Sequence, residues 1–169
     1  MISIPLFLVN WIQPGIRNLH QVHLVREVQK DDRFETVEFR LADPREDGSY
    51  RVVGTTKTRW ILDEPSYLST DARIEIGFKN AEDESDYWYW FNWIEPERPF
   101  MLGWHRDGDH PDLGSTHVQI NQGKSVVSRK SADIIDAHPG AIFHSRLEQL
   151  PSMLKQIEWD GDQVIGFEK

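Results

Sequence analysis

The stretch YWYWFNWIE, Tyr87 to Glu95, carries six aromatic side chains in nine residues. Strand alternation puts Trp88, Trp90 and Asn92 on one face and Tyr87, Tyr89, Phe91 and Trp93 on the other. Aromatics on both faces predict a central strand covered on both sides. Core packing accounts for them better than base stacking does, because no Lys or Arg is interleaved and Glu82, Asp83, Glu84 and Asp86 come just before. Upstream, ARIEIGFK alternates Ile74, Ile76 and Phe78 against Arg73, Glu75 and Gly77. RFETVEFRLAD approaches the same pattern at Phe34, Val37, Phe39 and Leu41. Between them, Asp47-Gly48 is a strong turn signal, and YRVVGTTKTRWIL supplies a β-branched returning strand.

Downstream, FMLGWH and STHVQINQ predict a strand pair joined by a polar loop, and DGDQVIGFE predicts a short edge strand. HSRLEQLPSMLKQIEW predicts a helix. Ser145 can cap it, Glu148 follows three residues later, and Leu147, Leu150, Leu154 and Ile157 form an apolar stripe. Pro151 kinks or restarts it. IRNLHQVHLVREVQ allows a helix through Ile16, Leu19, Val22 and Val25, or a strand through Val22, Leu24 and Val28. The sum is an α+β fold: a mostly antiparallel sheet of five or six strands with a C-terminal helix packed on one face.

The length of 169 residues suits a single domain spanning 1–169, with a subdivision into 1–70 and 71–169 as the alternative. There is no cysteine, which excludes disulfides, a thiolate nucleophile and a Cys-ligated zinc. The net charge of −9, from 28 acidic and 19 basic residues, counts against broad binding of nucleic acid through its phosphates. Asp outnumbers Glu and Arg outnumbers Lys, a bias compatible with a salt-loving host. The apolar N-terminus MISIPLFLVNWIQPG is broken by Pro5, Asn10 and Pro14 and has no basic start. It predicts a buried strand or short core helix, not a membrane span, and a cytoplasmic location fits.

Chemistry concentrates in GWHRDGDHPDLGSTHVQ, Gly103 to Gln119, where three histidines and three aspartates fall within seventeen residues. Imidazole titrates near neutrality, and a neighbouring carboxylate fixes its tautomer. If the two strands pair, His105 and His117 sit at the ends of neighbouring strands with Asp107, Asp109 and His110 between them. The spacing is loose, so a polar hairpin loop with locally bonded Asp residues stays open as the alternative. The locally basic run GKSVVSRKS, with Lys124, Arg129 and Lys130, is the candidate contact for an anionic substrate. His20 and His23, three apart, lack a third ligand and read as surface or satisfied core residues rather than a metal pair, and His138-Pro139-Gly140 reads as a turn. His144 is placed just before the helix cap.

The run WHRDGDHPDLGSTHVQ resembles the signature of the TumE-like toxins of prokaryotic toxin–antitoxin pairs. That signature has a Trp/Tyr-Asp strand end, a His-Pro-acidic-aliphatic turn and a closing His before a small strand. The counterparts here are Trp104 with Asp107, His110-Pro111-Asp112-Leu113, and His117-Val118. FHSRLEQL is similar to the family's C-terminal helix start through Phe143, Ser145, Leu147, Glu148 and Leu150. The likeness spans Phe100 to Ile157, and Gly114, Ser115 and Thr116 replace the family's extra histidines. The resemblance implies a cytoplasmic toxin acting on RNA and neutralised by an antitoxin protein. Cofactor-free cleavage would use His110 and His117 as acid and base, Asp107 to orient one of them, Arg106 as the nearest cation and His105 as a substitute. Two alternatives are a hydrolase with a divalent metal on His105, Asp107, His110 and His117, and a non-catalytic interaction module.

Overall fold

The computed structural model describes residues 16–41, 50–80, 87–135 and 138–168. The N-terminal apolar run, the Asp47-Gly48 turn and the acidic patch at 81–86 lie outside them. Seven strands form one antiparallel sheet in chain order: β1 (Phe34–Leu41), β2 (Tyr50–Lys57), β3 (Asp71–Asn80), β4 (Tyr87–Glu95), β5 (Phe100–Arg106), β6 (Thr116–Gln122) and β7 (Ser125–Ser131). A separate hairpin pairs β8 (Ile157–Asp160) with β9 (Gln163–Phe167). The α+β class holds, and the main sheet is larger than five or six strands. Its hydrogen-bonded β2–β3 pair crosses residue 70.

Among the described residues the α-helices are three: α1 (Ile16–Lys30), the short α2 (Thr58–Leu62) and α3 (Pro139–Leu154). The register lines Val52, Ile76, Phe91, Trp104 and Val118 up across the sheet, with Gly54, Ile74, Trp93, Leu102 and Ile120 in the next row. Apart from Gly54, these residues join Leu24 and Val28 of α1 and Phe143, Leu147, Leu150 and Leu154 of α3 in one apolar core. The phase slip between Phe34 and Val37 is a β-bulge at Phe34/Thr36.

Four sequence expectations need correction. The strand expected through Leu62 ends at Lys57, and TRWIL turns into α2. Helix α3 begins at Pro139, so Ser145 and Glu148 lie inside it, as does His144. His138 caps this helix: its Nδ1 accepts from the Gly140 N–H, and Pro139 occupies a first-turn position where no N–H is needed. Ile157 belongs to β8, not to the helical stripe. Finally, β4 is central but not equally buried on both faces. Tyr89, Phe91 and Trp93 are inaccessible, whereas Trp88, Trp90 and Asn92 are half-buried on a second face that carries none of the described helices. Trp90 lies flat across Gly77, where an added Cβ would meet its ring at 1.8 Å.

Candidate functional site

The second sheet face is the polar one. By alternation it presents Asn92 of β4, His105 of β5, His117 and Gln119 of β6, and Arg129 of β7. His105 and His117 are direct cross-strand partners, their rings edge to face with centroids 5.3 Å apart. The loop between these strands folds back over them. Its Asp107 Oδ1 accepts from the Asp109 N–H at 3.2 Å, Pro111–Leu113 makes one 3-10 turn, and Gly114 takes the positive φ of 86° that returns the chain to β6. This brings His110 edge-on to His117 at 4.9 Å and Asp107 Oδ1 to 3.8 Å from His117 Nδ1.

His117 is 1% exposed, and among the described residues neither ring nitrogen has a hydrogen-bond partner. His105 differs, because its Nε2 lies 2.8 Å from Asn92 Oδ1. An amide oxygen only accepts, so Nε2 carries the proton and the lone pair is on Nδ1. Gly103 makes that bond possible, since a Cβ there would come within 2.1 Å of Asn92 Oδ1 and 2.8 Å of His105 Nε2. Burial pushes His105 down to about 4, with the adjacent His117 adding to the effect. Burial also lowers His117, against the opposing pull of Asp107. Both rings are therefore neutral imidazoles at neutral pH.

The remaining candidates divide by face and by end of the sheet. Arg129 is close: its Nε donates to Gln119 Oε1 at 2.6 Å, and its charge helps lower both histidines. Arg106 follows His105 and points by alternation to the opposite face. It lines a cleft of about 380 Å³ with Trp88, Asp107, Gly108, Pro111, Gly114 and Ser115. Lys124 occupies the β6–β7 turn at the far end of β6, and Lys130 is on the core side, bonded to Gln156 and lying over the Phe167 ring. Neither reaches the cluster. His144 and His23 both contact Glu27 where α1 meets α3, and His138 stacks edge-on against His23. The His20 side chain lies outside the described residues.

One ring nitrogen each from His105 and His117 and one oxygen of Asp107 lie within 4.8 Å of one another, the only such His/Asp/Glu group among the described residues. Sequence reasoning missed the amides Asn92 and Gln119 that hold His105 and Arg129. Their one signal was polarity within otherwise apolar strands. No family model matches this chain, and neither a curated protein nor a solved structure does.

Proposed function

We propose that this protein is a hydrolase whose reaction centre is the cluster His105, Asp107, His110 and His117, and that it cleaves RNA as a toxin restrained by a partner protein. His117 carries the reading: a buried imidazole with both nitrogens unpaired, touching two other imidazoles and facing a carboxylate. Leaving a buried polar group unpaired costs about 1–3 kcal/mol. A bound ligand or reacting group that engages one of these nitrogens would remove that cost. Cleavage at an RNA 2′-hydroxyl requires a base for that hydroxyl, an acid for the leaving 5′-oxygen and positive charge at the phosphorane. Both buried imidazoles are neutral and carry a lone pair, so the base belongs to this floor. The acid role falls to His110 on the loop, and Arg129, on the strand next to His117, is the nearby cation on the same face. The choice of RNA rests on the toxin resemblance.

The test is induced expression of the wild type beside a His110→Ala, His117→Ala double variant, following growth and total RNA integrity. Circular dichroism checks that both are folded. Growth arrest and RNA loss with the wild type alone is the expected result. Equal toxicity in a folded double variant overturns the reading. Harmless growth with intact RNA in both turns the assignment to a non-catalytic interaction module.

A further inference from the structure

We propose that His105, Asp107 and His117 form a binding site for one divalent first-row transition-metal ion. The inference concerns the same cluster and rests on the hydrolase reading only for what the ion would do there. Three observations carry it. The donor atoms already converge, all within 4.8 Å of one another, and the Asp107 Oδ1 to His117 Nδ1 edge is 3.8 Å. Metal–nitrogen and metal–oxygen bonds of roughly 2.0–2.2 Å set tetrahedral ligand edges at roughly 3.4 Å, so a contraction of about half an ångström on that edge suffices. The second observation is His117, whose unpartnered buried nitrogens are explained by a ligand that takes a lone pair. The third is Asn92. It holds the proton on His105 Nε2 and fixes the ring, the role that supporting hydrogen bonds play for metal-bound histidines.

The donor set names the ion class. Two imidazoles and one carboxylate suit zinc, iron, cobalt or manganese, whereas magnesium and calcium prefer all-oxygen shells. Three protein ligands leave coordination positions for water or substrate. Asp107 is also one wall of the adjoining cleft. His110 lies outside the converging set and stays available for proton transfer. The histidines between α1 and α3 make a natural control, because Glu27 already engages His23 and His144.

Protein stripped with chelator is titrated with Zn²⁺ by calorimetry and with Co²⁺ by visible absorption, with Mg²⁺ as the contrast. One equivalent of Zn²⁺ and of Co²⁺ is expected, with Mg²⁺ far weaker. Affinity should fall more than ~100-fold in His117→Ala and at least ~10-fold in Asp107→Asn and Asn92→Ala, and stay unchanged in a His23→Ala, His144→Ala double variant. Asp107→Asn lies on the loop and keeps its shape, so it remains informative if His117→Ala does not fold. Absence of one-equivalent binding, or undiminished affinity in folded Asp107→Asn, overturns the metal site. RNA cleavage is scored separately. Stoichiometric metal without cleavage supports the site and overturns the hydrolase reading, whereas cleavage by metal-free protein that binds no ion does the reverse.

Discussion

Gly103 faces Asn92 on one side and Gln119 on the other, and its missing side chain is what lets the Asn92 amide reach His105. Gly103→Ala should push the amide away and cost about 1–3 kcal/mol as overpacking, read as a lower denaturation midpoint. It should also release the His105 ring, visible as altered imidazole NMR shifts. Titration gives a second expectation at this scale. His105 is held near 4 in the folded protein against 6.5 in the unfolded chain. Below 6.5 the unfolded state therefore binds more protons, so stability is fully present above 6.5 and declines as pH falls towards 4. The loss should be on the order of 1–3 kcal/mol, with His117 contributing in the same direction. Glu27, held at about 2 against 4.5 by Lys30 and His144, loses its contribution only at lower pH, below 4.5. Denaturant midpoints between pH 7 and 4.5 should thus slope less in His105→Gln than in the wild type. Equal slopes would show that His105 is not held neutral by the fold.

The loop joining β5 to β6 supplies both Asp107 and His110 and covers His117, whereas the strand register needs none of it. Replacing residues 107–115 by Asn-Gly between Arg106 and Thr116 substitutes a two-residue turn that matches the twist of paired strands. The sheet should survive by circular dichroism while metal binding and RNA cleavage are lost and the His117 midpoint rises towards 6.5. Much of this architecture was legible in the sequence. Strand β3 could be read from its alternation and β4 from its run of aromatics, and His105 and His117 could be placed at a hairpin end because a polar loop separates two apolar runs. What escaped has physical reasons. SVVSRKS did not read as a strand because β7 is a polar edge strand whose core-side Lys130 is held by the Gln156 amide and the Phe167 ring. The start of α3 was hidden because a histidine caps it, while Ser145 and Glu148 imitate a capping box within its interior. Six aromatics suggested cover on both faces of β4, but Trp90 shields the second face by lying across Gly77. The bond from Asn92 to His105 left no mark, since an amide in a strand does not announce its partner.

The whole molecule carries a charge of −9, so its folded state works against its own repulsion. Raising salt from about 0.05 to about 1 M should raise the denaturation midpoint, by on the order of 1 kcal/mol, as screening removes that repulsion. A fall would mean that favourable ion pairs, such as Glu75 with Arg51 and Arg73, outweigh it. Among the described residues no helix is long and apolar enough to cross a membrane. The sheet is a meander whose spatial order repeats its chain order, and α3 follows it. On a ribosome each new strand therefore finds its neighbour already made. The helix that seals Trp93, Trp104 and Ile120 emerges only afterwards. Among the described residues, a nascent chain that has reached Ser131 holds a finished sheet whose oily side has only α1 and the short α2 for cover. Stalling or premature release before Leu154 leaves a fragment primed to stick to its own copies, so the arrival of α3 decides whether the finished sheet stays in solution.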